Sequence, residues 1–295
     1  MKSKNEGAKE ADLPLFKEEK MEKRKVIAII NQKGGVGKTT TTANLGVCLA
    51  RQGKRVLLID ADPQASLSIS LGVKDPDGLD ITIASVFQEI IDEGTVSPDF
   101  GIIHNREGVD LLPSNIELSA METGLVNVMS REFVLKEYIR QIGDRYDYIL
   151  IDCMPSLGML AINALVAADS VIIPCQPNYL STKGINLLLG SVMKVRRTIN
   201  PSLKIDGILL TMVDNRTKNA KEIISSLRAS VGQNIRVFQV EIPRSVRVAE
   251  SSISGQSILS YDKGGKAALA YEALTKEVLE LEERNKDRSR ADCLR

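Results

Sequence analysis

An α/β fold, with a mostly parallel twisted sheet and helices on both faces, is predicted by three observations in these 295 residues. Short β-branched runs alternate with longer segments of helical period, the pattern of a parallel sheet covered on both sides. One glycine-rich stretch, Gly34-Gly35-Val36-Gly37, falls between a strand and a helix. Two apolar strands, at 56–59 and 148–151, run directly into aspartates.

The elements follow in order. Residues 1–24 are rich in Lys and Glu and read as a flexible tail. The domain spans 25–285. It opens with a buried strand at 26–30, the glycine-rich loop at 32–37 and a helix over 38–52. A strand at 56–59 ends in Asp60-Ala61-Asp62-Pro63. Residues 73–108 read as surface helices and turns, with Asp75-Pro76-Asp77-Gly78 as a turn signal. Next come a strand at 109–112 and helices over 116–129 and 131–142. A strand at 148–151 ends at Asp152. Helices at 159–168, 183–198 and 218–230 then alternate with strands at 170–174, 205–213 and 236–240. A long helix over 263–285 closes the domain, and 286–295 read as a polar, frayed tail.

Apolar residues are 43% and charged residues 26%, enough to bury one large core, and the absence of Trp makes that core aliphatic. Cys48, Cys153, Cys175 and Cys293 lack metal-ligand spacing and read as free thiols of a reducing cytoplasm. Residues 1–25 contain no apolar stretch of the signal-peptide kind, and no run approaches the ~18 apolar residues of a membrane span. A cytoplasmic location without a membrane partner is expected.

The strongest signal is Lys33-Gly34-Gly35-Val36-Gly37-Lys38-Thr39-Thr40. Glycines let successive backbone N–H groups approach phosphate oxygens with no Cβ in the way. The helix start adds unpaired N–H groups and the positive end of its dipole. In such a loop Lys38 reaches the β- and γ-phosphates, the Thr39 hydroxyl ligates Mg²⁺, and Thr40 supports the α-phosphate. ATP with Mg²⁺ is the expected cofactor. The common pattern begins with glycine. Here Gln32 takes that position and a second lysine, Lys33, follows it.

This stretch resembles the deviant Walker A motif of the ParA/MinD group of P-loop ATPases, of the ParA/Soj partition type. The resemblance covers roughly residues 25–280. It implies that Lys33 crosses a dimer interface to the partner's ATP, so that dimerisation depends on nucleotide. Leu57-Leu58-Ile59-Asp60-Ala61-Asp62-Pro63-Gln64 resembles the family's second motif. Strand-end carboxylates beside bound phosphate serve to hold Mg²⁺ waters and orient the attacking water. Asp60 is expected to support the Mg²⁺ shell and Asp152, ending a Walker B-like strand, to contact the ion through water. The resemblance gives Asp62 the water-orienting role. Met154 stands where the family usually has Pro.

Further matches include Thr211-Met212-Val213-Asp214-Asn215-Arg216-Thr217 and Ile242-Pro243-Arg244-Ser245-Val246-Arg247. By resemblance Pro243 and Ser245 contact the adenine, although family members often carry Asn where Ser245 stands. The net charge of +1 hides an asymmetry. From Lys194 to Arg247 eleven cations face four carboxylates, a net +7. Such a stretch suggests an anionic partner. The resemblance implies non-specific DNA binding through Arg216, Arg244 and Arg247, an ATP-dependent homodimer, a ParB/Spo0J-like partner that stimulates hydrolysis, and association with the nucleoid.

Two other outputs stay open. A MinD-like membrane-positioning ATPase would end in an amphipathic helix with bulky anchors, whereas this chain ends its long helix in Leu281-Glu282-Glu283-Arg284. An iron–sulfur cluster carrier would need paired, exposed cysteines; Cys153 follows the Walker B-like strand, but no Cys-x-x-Cys occurs.

Overall fold

The computed structural model describes residues 24–177, 181–214, 218–230, 232 and 235–293. Residues 1–23 of the charged N-terminal segment lie outside them. The strands are β1 (Lys25–Ile29), β2 (Val56–Ala61), β3 (Ile103–His104), β4 (Asp110–Leu112), β5 (Tyr148–Cys153), β6 (Ser170–Cys175), β7 (Lys204–Val213) and β8 (Val237–Pro243). They form one eight-stranded sheet in the order β3-β4-β2-β5-β1-β6-β7-β8. All neighbours are parallel except the antiparallel β3–β4 pair at one edge.

Alternation along the strands separates two cores. Val26 and Ala28 of β1, Leu57 and Ile59 of β2, and Ile149 and Ile151 of β5 point into one of them. Helices α3 (Ile83–Asp92), α4 (Glu117–Gly124), α5 (Val134–Gln141), α6 (Met159–Ala167), α7 (Ser181–Thr198) and α8 (Lys218–Ser230) supply its other wall. Ile27, Ile29, Leu58 and Leu150 point the opposite way. There they meet α1 (Lys38–Arg51), α2 (Ser66–Ser70), α10 (Ile258–Tyr261) and α11 (Lys266–Cys293). A short helix, α9 (Val246–Ile253), follows β8.

Three expectations are corrected. The 73–108 segment is more than surface: α3 buries Ile83, Val86, Phe87 and Ile90, and β3 extends the sheet. Their spacing of i, i+3, i+4 and i+7 is one helix face, and Thr82 caps it in a capping box with Ser85. The final helix starts at Lys266, after Gly264 at φ 90°. It continues past Asn285 to Cys293, through the segment read as a frayed tail. The run 281–293 holds no Gly or Pro to stop it, and Arg284 pairs with Glu280 one turn back at 3.5 Å.

β1 lies at the centre of the sheet. The chain leaves it by α1 toward β2 on one side, while β6 lies on its other side. This reversal opens a crevice at the carboxyl ends of the strands, where ligands of open α/β sheets bind.

Candidate active site

The loop after β1 is held open from outside. Asn31 is buried; its Nδ2 donates to the Pro174 carbonyl at 2.7 Å and its Oδ1 accepts from the Lys33 amide at 3.0 Å. The Thr211 hydroxyl donates to the Val36 carbonyl at 2.7 Å. The ends of β6 and β7 thus brace both limbs of the loop. Gly35 and Gly37 take φ of 67° and 87°, which only glycine adopts without strain. A Cβ placed on Gly34 or Gly35 would meet nothing within 4 Å, so both face open space. Gly37 is the N-cap of α1 and offers no side chain to cap it. The first-turn N–H groups therefore remain available to an anion.

The two lysines of the motif differ. Lys38 is 7% exposed and its Nζ donates to the Lys33 carbonyl at 3.4 Å. Burial lowers its pKa, opposed by the nearby carboxylate of Asp152 and, further down, Asp62. Lys33 is exposed at the loop surface. The first lies inside the loop and the second on its surface.

The carboxylates converge because of strand parity. Asp60 follows Leu58, and Asp152 follows Leu150, at two-residue spacing, so both point to the α1 face. β2 and β5 are adjacent, and Asp60 and Asp152 are register partners. Both are fully buried. Asp152 Oδ2 accepts from the Thr39 hydroxyl at 2.6 Å, and Oδ1 lies 3.5 Å from the Thr42 hydroxyl. Asp60 Oδ2 accepts from both the amide and the hydroxyl of Ser68 at 2.8 Å, and Oδ1 accepts from the Asp62 amide at 3.3 Å. Burial pushes the Asp60 carboxyl up to about 7, although these hydrogen bonds oppose the change. Burial first and the Asp60 charge second push Asp152 well above the carboxylate range. Asp62 is half-buried, and its Oδ1 accepts from the Gln64 amide at 3.0 Å.

Among the described residues no group of three or more His, Cys, Asp and Glu side chains could hold a metal ion unaided. Mg²⁺ takes one or two carboxylates and completes its shell with water and phosphate oxygens. The Thr39 hydroxyl, the two buried carboxylates and the Cβ-free loop together fit a magnesium–phosphate group.

A cleft of about 460 Å³ opens beside the loop, lined among others by Lys38, Thr39, Thr40, Asp62, Met212 and Ile253. Pro243 at the end of β8 and Ser245 at the start of α9 are half-buried and are not among its lining residues. Met212 belongs to a matching run but received no role from the sequence; its φ of 52° is unusual for a side chain of this size and marks a constrained position beside the cleft. Asn31 heads the loop motif in the sequence, but its bracing role, like that of Ser68, depends on which strands and helices are neighbours.

Of the three arginines expected at DNA, Arg216 lies outside the described residues. Arg244 is exposed. Arg247 is exposed and pairs with Glu250 at 3.3 Å. Two cations of the +7 stretch are engaged within the fold: Arg228 pairs with Glu241 at 3.1 Å and Arg236 with Glu277 at 2.7 Å. Cys48, Cys153 and Cys175 are buried free thiols, and burial raises the pKa of Cys48 and Cys153.

Known proteins resemble this chain over most of its length. An AAA-domain family profile matches residues 24–205. The sporulation initiation inhibitor protein Soj of Bacillus subtilis is 43% identical over 254 residues, covering 86% of this chain and 98% of Soj. The chromosome partitioning protein ParA of Myxococcus xanthus is 38% identical over 257 residues, covering 86% and 88%. A structure described as cobyrinic acid a,c-diamide synthase from Mycobacterium smegmatis, with bound ADP and magnesium, superposes with a TM-score of 0.76. It is 35% identical, over 87% of this chain and 94% of that one. The braced glycine loop, its two lysines and the paired strand-end aspartates thus stand in a chain that matches Soj along almost its whole length, and the protein belongs to the ParA/Soj/MinD family of ATPases.

Proposed function

We propose that this ATPase binds ATP with Mg²⁺, dimerises on it, grips DNA without regard to sequence, and releases DNA when a ParB-like partner stimulates hydrolysis. The observation that carries the nucleotide part is the Thr39–Asp152 contact at 2.6 Å, with Asp60 in register beside it, beneath a loop whose glycines face open space. When bound, Mg²⁺ neutralises charge that develops on the transferred phosphoryl group. The chain's own residues do the rest. The amides of the loop and of the first turn of α1 donate to phosphate oxygens. Lys38 exchanges its long contact to the Lys33 carbonyl for the phosphates. Asp62 orients the attacking water. Exposed Lys33 completes the site of a second copy, which makes the dimer depend on ATP.

DNA as the partner rests on the +7 stretch and on exposed Arg244 and Arg247. Phosphate contacts of this kind carry affinity without sequence information. Such a protein works in the cytoplasm on the nucleoid. An iron–sulfur output is opposed by the burial of Cys153. Among the described residues no helix is long and apolar enough to cross a membrane, and the last turns of α11 mix acidic and basic side chains. The test is ATP turnover with and without unrelated duplex DNA and a candidate partner. Turnover that neither addition changes would sink the partition reading while leaving the ATPase in place.

A further inference from the structure

The +7 stretch has an opposite pole. From Lys74 to Glu122 eleven carboxylates face two cations, a net −9. The elements of this segment, α3, β3, β4 and part of α4, build the β3 edge of the sheet, whereas β7, α8 and β8 of the basic stretch build the other edge. The two segments of opposite net charge thus lie at opposite edges of the sheet.

The acidic pole contains a groove of about 650 Å³ between α3 and α4. Ile91, Met121 and Val128 give it an apolar floor, half-buried, while Glu89 and Glu117 stand on its walls. Beside Val128 the chain holds Val126 at 56% exposure and Met129 at 92%, the most exposed large apolar side chain among the described residues. Apolar side chains displayed in this way beside a groove mark an interaction surface, and methionine adapts to the shape of an apolar partner.

We propose that this groove docks a lysine- or arginine-rich amphipathic helix of a partner protein. The floor takes the apolar stripe of such a helix, and Glu89 and Glu117 meet its flanking cations. Glu107, Asp99 and Asp110 of the segment pair with Arg51, Arg145 and His104, so the charge at the groove is that of Glu89 and Glu117, which favours a cationic occupant over nucleic acid or an anionic membrane. The groove is also tied to the nucleotide site. α4 starts immediately after Pro113-Ser114-Asn115-Ile116. The Ser114 amide donates to the Ser68 hydroxyl at 3.2 Å, and that hydroxyl donates to Asp60. The same segment holds the start of α3: the Ile83 amide donates to the Pro113 carbonyl at 2.8 Å and the Thr82 hydroxyl to Asn115 Oδ1 at 3.3 Å. Both walls of the groove are therefore tied to the 113–116 segment, which Ser114 joins to the Asp60 cluster, so an occupant is positioned to be felt there.

The test uses the full chain and a fluorescent synthetic peptide of about 18 residues with leucines at helical i, i+3, i+4 spacing and lysines elsewhere, titrated by anisotropy at about 0.15 M salt. Saturable one-to-one binding is expected. Glu117→Lys should weaken it about tenfold, while Asp80→Lys, the same charge change outside the groove, should weaken it no more than about twofold. Met129→Glu separates docking from general attraction, because an added negative charge strengthens the latter and an interrupted apolar contact weakens the former. Weaker binding by Met129→Glu supports the groove. Tighter binding, equal losses for Glu117→Lys and Asp80→Lys, or no saturable binding would overturn it. So would self-association of the wild-type chain, measured by sedimentation without peptide, that Met129→Glu abolishes, since the groove would then be a contact between copies.

Discussion

The Thr39 hydroxyl donates to Asp152 Oδ2 across 2.6 Å, joining the first turn of α1 to the end of β5. The contact holds a hydroxyl and a carboxylate side by side at the mouth of the glycine loop, as a magnesium ion with two protein contacts requires.

Asp152→Asn should therefore cost mostly the magnesium-dependent part of nucleotide affinity. Titration calorimetry with ATP should show a loss of roughly 10–100-fold when Mg²⁺ is present, and little change in EDTA. An equal loss in both conditions would mean that Asp152 supports the fold of the loop instead.

Asp60 should make the stability of the protein sensitive to pH. Its carboxyl is raised from 3.8 to about 7 by burial, so folding favours the protonated form. The corresponding stability is fully present below about pH 4 and is lost as pH rises through about 7. The amount at stake is at most roughly 4 kcal/mol at pH 8, since each tenfold change in proton affinity between the folded and unfolded chain is worth about 1.4 kcal/mol. Thermal melts in EDTA should show Asp60→Asn melting above wild type at pH 8, with the gap narrowing toward pH 5. A gap that widens on acidification would reverse the assignment.

Much of this site could be read from residue order alone. Lys38, Thr39 and the strand-end aspartates sit where the strand–loop–helix pattern puts them, and the two-residue spacing from Leu58 to Asp60 and Leu150 to Asp152 already fixes the face on which they lie. That Asp60 and Asp152 are neighbours was not legible, because it depends on β2 and β5 being adjacent in the sheet. The same holds for Ser68, whose two bonds to Asp60 come from a five-residue helix with no strong periodic signal. α3 was legible in principle: Ile83, Val86, Phe87 and Ile90 form one helical stripe, obscured by the turn signals and charges around it. Arg228 and Arg236 counted toward a basic surface in the sequence, and only the fold shows Glu241 and Glu277 beside them.

Asp62 and Lys33 should separate hydrolysis from assembly. Among the described residues the hydrogen bonds of Asp62 are local, with Asp60, Gln64 and Ala65, and its proposed task is to place water. Asp62→Ala should bind ATP with near wild-type affinity, accumulate as a dimer on size-exclusion chromatography, and turn over ATP at least about 100-fold more slowly. Exposed Lys33 should matter to the second copy only. Lys33→Ala should bind ATP and remain a monomer. A stable ATP dimer of Lys33→Ala contradicts the crossing role, and wild-type turnover by Asp62→Ala moves the water to another residue.

DNA binding should respond to Arg244, Arg247 and Glu250 in opposite directions. Arg244 is exposed, whereas Arg247 shares its charge with Glu250 at 3.3 Å. An exposed pair of this kind is worth under about 1 kcal/mol, so a phosphate can displace the carboxylate. Arg244→Ala and Arg247→Ala should each flatten the plot of log K against log salt by about two units in the dimer, one phosphate contact per copy. Arg216→Ala should do the same if its side chain shares that surface. Glu250→Gln should tighten DNA binding, because it removes an anion and frees Arg247 while leaving an oxygen for the Tyr261 hydroxyl that now bonds Glu250 at 3.2 Å. None of these side chains is assigned to the phosphates of ATP, so turnover without DNA should be unchanged in all four variants. The measurement is anisotropy on unrelated duplexes across a salt series, with ATP and with ADP. Weaker binding by Glu250→Gln, or unchanged salt slopes in both arginine variants, would move the DNA surface away from the β8–α9 end of the molecule. Equal binding with ATP and ADP would remove the nucleotide switch while leaving the surface where it is.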